Sequence, residues 1–319
     1  MNMSTDFFAT AQQWLFESTI QPLLFWMGFG NLVEDAFDGT MWLLVGVIQI
    51  VVLISIIGPM QRWRPVEAVT DHKSIRLDML YTVIHRLGIF RIALYFTLDP
   101  LFDLLFGRLH VMGISSLQLD QLWPGVTDGP LASLMLYLLI FDLLGYLFHR
   151  ATHTYRWLWA LHSLHHSQRQ MTMWSDDRNH VLEDVLRDTM LVIASQLIGV
   201  APGQFVAIVA ISNLIESFSH ANVRMSFGRI GEKLLVGPKF HRLHHAIGIG
   251  HESANRRLGG HNFGVLFPIW DILLGTAYFK GNYEATGVRD QLPEEGGRDY
   301  GRGFLAQQWL GLKRMVGRS

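Results

Sequence analysis

The chain has 319 residues, half of them hydrophobic and 17% charged, with a net charge of −1. Its mean hydropathy of +0.22 is high for a water-soluble protein, and the near-neutral charge gives no basis for nucleic-acid binding. The absence of cysteine excludes disulfides, thiolate zinc sites and iron–sulfur clusters.

In chain order, residues 1–40 contain no Lys or Arg and so lack the basic start of a signal peptide. Their aromatic stretches, FFATAQQWLF and QPLLFWMGFG, are expected to lie on or partly in a bilayer. Residues 41–60, MWLLVGVIQIVVLISIIGPM, are free of charge and long enough to cross the ~30 Å hydrocarbon core. A second apolar segment runs from Asp78 to about Phe106 but carries His85, Arg86 and Arg91. Those arginines either face the bundle interior, snorkel to the interface, or line a polar path for a lipid head group. The third segment, 131–148, leads directly into HRATHTYRWLWALHSLHH at 149–166. A fourth, 190–215, contains Pro202-Gly203, where a helix breaks, and reads as a hairpin returning to its own side. The C-terminal stretch 304–318 is either an interfacial amphipathic helix or a helix packed on the rest of the protein.

With the N-terminus outside, the inner segments 61–77, 149–187 and 218–319 hold 23 of the 26 Lys and Arg residues. The outer loop 107–130 holds only Arg108. This bias fits the positive-inside rule and puts His149 to His261 at the cytoplasmic face. The expected fold is all-α: a polytopic membrane helical bundle with a cytoplasmic, histidine-rich metal-binding cap.

Twelve of the 15 histidines fall between His149 and His261. Eight form three boxes: His149 and His153; His162, His165 and His166; His241, His244 and His245. On a helix, positions i, i+3 and i+4 share a face, so each box presents two or three imidazoles to one point. The stretch 154–162 has room for a bend that returns the second box to the first. Neutral imidazole suits iron, zinc, copper and nickel. Eight of them exceed a closed tetrahedral zinc site and suit two ions of higher coordination.

The boxes, their order and the short gap between the first two resemble the fatty acid hydroxylase/sterol desaturase superfamily of membrane di-iron enzymes. Further matches are Arg178-x-His180-x2-Glu183, Ser219-His220-Ala221-Asn222, Pro238-x2-His241 and HNFGVLFPIWDILLGT at 261–276. The resemblance covers about 131–280. It implies that the eight box histidines bind two iron ions, with His220 as a further ligand and O2 as co-substrate. His180 and His261 are possible ligands or outer partners by the same analogy, as are Asn222 and Asp271. His251 is not expected to be a ligand, and His72, His85 and His110 read as packing residues.

Metal-bound histidines usually have their second ring nitrogen held by a carboxylate or carbonyl. Asp142, Tyr146, His149 and His153 share one helical stripe, and Glu216 stands one turn before His220. Asp142 therefore either supports the metal site or pairs with Arg86 or Arg91. Glu216 is expected to orient His220.

The resulting division is an N-terminal membrane region (1–130), a hydroxylase-like catalytic domain (131–280) and a tail (281–319). The expected function is O2-dependent hydroxylation of a lipid C–H bond, with desaturation as the alternative and metal transport as a rival from another class. Such an enzyme needs a lipid substrate in the bilayer and a separate electron-donor protein. A bis-histidine haem carrier fits poorly, because it needs single facing histidines rather than clusters.

Overall fold

The computed structural model describes residues 3–90, 98–114, 116–247 and 258–317. Arg91 and His251 lie outside these described residues. Among the described residues the architecture is all-helical, with one isolated bridge between Ala246 and Thr286.

The N-terminal part comprises α1 (Met3–Leu15), α2 (Gln21–Met27), α3 (Val33–Val52) and α4 (Gly58–Trp63). A π-helical turn, Leu53–Ile57, joins α3 to α4, making Gly30–Trp63 a continuous helical segment of 34 residues. It and α7 (Pro130–Thr152) are the two helices, among the described residues, long and apolar enough to cross a membrane. At 1.5 Å per residue, the 23 residues of α7 extend about 35 Å. Pro130 at its first turn suits the fixed φ of proline, and its missing N–H would have no helical acceptor there anyway.

Among the described residues, the segment from Asp78 to Phe106 is not one continuous helix. Helix α5 (His72–Arg86) ends before Gly88, whose φ of +78° belongs to the left-handed region, and α6 (Asp99–Val111) starts separately. The buried face of α5 is polar. Asp78 accepts a bond from Arg178 Nε, while Arg86 binds Asp176 at 2.8 Å and Asp177 at 3.1 Å. Arg86 thus faces the interior, paired as a buried cation must be.

Helix α8 (Arg156–His166) follows α7 after a tight turn at Thr154-Tyr155. Helices α9 (Val181–Ile198) and α10 (Pro202–Ser219) form the expected hairpin. Gly199 ends α9 at φ +74°, and Pro202 opens α10. Helix α11 (Pro238–His244) starts after Gly237, again with proline in the first turn. Helix α12 (Phe304–Met315) packs on α8, where Arg314 Nε donates to Ala160 O at 3.2 Å. Gly311 lets α12 also approach the start of α9: a Cβ there would come 2.4 Å from the His180 ring. The other side of α12 leaves Leu305 and Trp309 exposed.

Apolar clusters flank the histidines. One joins Leu53 and Ile57 to Met173 and Trp174. Another joins Tyr137 and Phe141 of α7 to Ile208 of α10 and Leu266.

Candidate metal centre

Four helix ends converge. The last turn of α7 carries His149, with His153 just beyond it. The last turn of α8 carries His165 and His166, and His162 sits one turn earlier. His220 follows α10, while His241 and His244 lie in α11 and His245 directly after it. The structure collects these nine into two groups: His149, His153, His162, His166 and His244; and His165, His220, His241 and His245. Within each group the candidate ligand nitrogens lie within 4.8 Å of one another. The second box is split between them, because His162 and His166 occupy one edge of α8 and His165 the next.

Proton placement is legible at four rings. His149 Nδ1 donates to Phe263 O at 3.0 Å, His244 Nδ1 to His261 O at 2.8 Å, and His220 Nδ1 to Glu216 O at 2.8 Å. His162 Nδ1 donates to Glu183 Oε1 at 2.6 Å. With Nδ1 protonated, each neutral ring turns its Nε2 lone pair into the cluster. Burial, reinforced by neighbouring imidazoles, holds His165, His241, His244 and His245 well below the ordinary histidine range. Burial likewise pushes His220 down to about 4. These rings are neutral at physiological pH, as metal ligation requires.

Two observations test whether a metal fits. First, His162 Nε2 and His244 Nε2 lie 3.2 and 3.1 Å from His166 Nε2. One proton at most resides on that nitrogen, so it cannot donate to both lone pairs. His149 Nε2 is buried without a hydrogen-bond partner. Nitrogens arranged this way are suited to hold a cation between them. Second, the spacing is informative. In the other group, His165–His220, His220–His241 and His241–His245 Nε2 pairs lie 3.1, 3.0 and 3.1 Å apart. Two ligands ~2.1 Å from one ion are about 3.0 Å apart at right angles and about 3.4 Å apart at tetrahedral angles. The residues fit a metal of higher than tetrahedral coordination in each group.

The remaining predicted site residues lie outside the two groups. Among the described residues, which leave out Arg91, Asp142 has no hydrogen bond or ion pair with a histidine or an arginine. Its carboxylate accepts from Leu266 N (2.7 Å), Phe267 N (3.2 Å) and Trp270 Nε1 (2.9 Å). Asp271 accepts from Phe263 N, Gly264 N and Thr276 Oγ1. Both carboxylates shape the 262–276 loop, whose Phe263 carbonyl holds His149. Glu216 does meet His220, but through its main-chain carbonyl, the ordinary i−4 acceptor at a helix end, rather than its carboxylate. The carboxylate nearest that ring is Asp176, at 3.6 Å, already engaged by Arg86 and Ser217. His180 caps α9: Nδ1 accepts from Leu182 N and Nε2 donates to Gln308 O, which occupies both nitrogens. His261 donates to Leu243 O and stands outside both groups, contributing its carbonyl to His244. Asn222 ties down residues 66–67 through bonds to Val66 and Glu67.

Sequence reasoning missed Glu183 and Asp176 as neighbours of the histidines. Glu183 lies 21 residues from His162 on another helix, so no helical period relates the two. The one local signal was its place in the Arg178-x-His180-x2-Glu183 motif.

A cavity of about 820 Å³ opens onto His149, His162, His165, His220 and His241. Its wall includes Phe141, Phe148, Phe205 and Ile208, and also Arg86, Asp176 and Glu216. This volume accommodates a small molecule or part of a lipid chain.

Residues 134–276 match the family model described as fatty acid hydroxylase. The chain is 30% identical to ornithine lipid hydroxylase OlsE of Rhizobium tropici over 158 residues, 49% of this chain and 45% of that protein. It is 26% identical to alkylglycerol monooxygenase of Caenorhabditis elegans over 135 residues, 42% of this chain and 25% of that protein. These alignments span less than half the length of either relative. No solved structure matches the chain significantly. The histidine-bearing segment, residues 134–276, is thus the part of this chain that is similar to the fatty acid hydroxylase family.

Proposed function

We propose that the protein is a membrane-bound di-iron oxygenase that uses O2 to hydroxylate a C–H bond of a lipid. The observation that carries this reading is the pair of buried histidine groups, five and four residues, with ring nitrogens spaced as neighbours around one ion. His149, His153, His162, His166 and His244 would hold one iron, and His165, His220, His241 and His245 the other. Iron bound there would supply electrons to O2 for attack on an unactivated C–H bond.

The chain's own residues supply the surroundings. Phe141, Phe148, Phe205 and Ile208 line the approach with apolar surface, which suits an acyl chain and keeps water from the reacting carbon. Phe263 O, His261 O, Glu216 O and Glu183 orient four of the rings. Hydroxylation is favoured over desaturation because both relatives' names describe oxygen insertion into lipids. Electrons come from a separate donor protein.

For orientation in the membrane, we infer several crossings with the histidine centre on the cytoplasmic side, from the Lys and Arg distribution. A reporter fused after Thr40 should read as extracytoplasmic and one fused after the last residue as cytoplasmic. Equal cytoplasmic signals would overturn the orientation.

The functional test is chemical. Protein purified from iron-replete cells should contain close to two irons, and lipid extracts of producing cells should gain a lipid carrying one added oxygen. Full turnover with one metal per chain would sink the di-iron reading. Zinc in an isolated sample would not, since imidazole sites accept zinc readily.

A further inference from the structure

Resting on that metal-binding reading, we propose that the two positions are unequal: Glu183 is a positioning residue that makes the five-histidine position the tighter of the two. An imidazole that ligates a metal adds no charge, so any compensation for two divalent ions must come from beyond the rings. The four oriented rings differ in what holds them. His149, His220 and His244 donate to main-chain carbonyls, whereas His162 donates to a carboxylate at 2.6 Å, the length of a charge-assisted bond. Both members of that pair are buried, at 5% and 6% exposure.

The carboxylate nearest the other group is less available. Asp176 sits 3.6 Å from His220 Nδ1, beyond hydrogen-bond reach, and its charge is taken up by Arg86 at 2.8 Å. Among the described residues, Glu183 forms its ion pair with His162 alone, and its second oxygen, Oε2, has no hydrogen-bond partner. The close contact of the Glu183 charge is therefore with the imidazole, and its effect on Arg187 is exerted without a salt bridge. A carboxylate on Nδ1–H makes the opposite nitrogen a stronger donor and fixes the ring plane. The group carrying this pair also has one more imidazole. Binding strength and electron donation thus both favour the position formed by His149, His153, His162, His166 and His244.

The experiment uses the full-length chain in detergent, stripped of metal and titrated anaerobically with Co²⁺ against a competing chelator. Parallel samples loaded with iron-57 are read by Mössbauer spectroscopy. Wild type should take up two Co²⁺ in two resolved steps and show two distinct iron signals. Glu183→Gln keeps the shape and an acceptor for His162 Nδ1 but removes the charge. It should weaken the first step by ~10–100-fold, leave the second within about twofold, and shift one iron signal. Glu183→Asp, which restores the charge on a shorter arm, should recover part of that loss. The His153→Ala and His245→Ala variants identify which step belongs to which group. If Glu183→Gln binds both ions as wild type does, or weakens both equally, the proposed inequality is wrong while the two-metal reading stands. If wild type itself binds fewer than two ions, the two-metal reading fails instead.

Discussion

The N-terminal helices and the histidine region reverse the usual rule of burial in opposite ways. In α1 to α4 the apolar residues face outward: Phe7 is 77% exposed, Trp26 82% and Ile54 58%. In the histidine region the titratable residues face inward, with His153, His166, His245 and Asp271 fully buried. Water would penalise both arrangements. Each suits a different surrounding, a hydrocarbon phase for the first and cations with hydrogen-bond acceptors for the second. One chain can therefore carry two regions that each look wrong in water.

The contrast breaks most sharply at the metal centre. Replacing His165 or His244 with alanine removes a ring from one group, and turnover should fall by more than about 100-fold, beyond the effect of losing an orienting partner. Metal analysis of the purified variants should show iron loss. Retention of two irons and wild-type turnover would remove these residues from the centre.

A smaller effect is expected where a buried carboxylate is structural. Asp142→Asn leaves the buried N–H groups of Leu266, Phe267 and Trp270 without their charged acceptor. Stability should drop by ~1–3 kcal/mol in thermal unfolding, more than metal content falls. The reverse pattern, intact stability with lost metal, would assign Asp142 to the centre after all.

Gly46→Ala probes the seam between the two regions. A Cβ at this position would lie 1.7 Å from Arg86 O, so α3 and α5 would have to separate. Overpacking of this kind costs ~1–3 kcal/mol. Because Arg86 anchors Asp176 and Asp177, oxygenase activity should decline as well. Unchanged unfolding would mean the seam is softer than its spacing indicates.

The smallest change is expected from Glu216→Gln. The bond to His220 uses the main-chain carbonyl, which the substitution leaves in place. Iron content should stay within about twofold of wild type. A large loss of iron would show that the Glu216 charge itself supports the centre.

Much of this was legible in the sequence, and the division has a physical basis. Helical period and box spacing brought forward eight of the nine clustered histidines, because i, i+3 and i+4 positions share a face whatever the tertiary context, while His220 came from the family resemblance. Pro202 marked the turn between α9 and α10 for a similarly local reason, since proline suits the first turn of a helix. The charge-free run at 41–60 likewise announced its helix. Between Asp78 and Phe106 apolar content alone did not reveal the left-handed Gly88 that ends α5 or the buried polar residues on that helix. What only the tertiary structure decided was partnership: which histidines share a group, that Asp142 holds a loop, that His180 caps a helix, and that Glu183 reaches His162. Such bonds join side chains 21 to 128 residues apart. Their choice depends on how helices cross, and no local periodicity encodes that crossing.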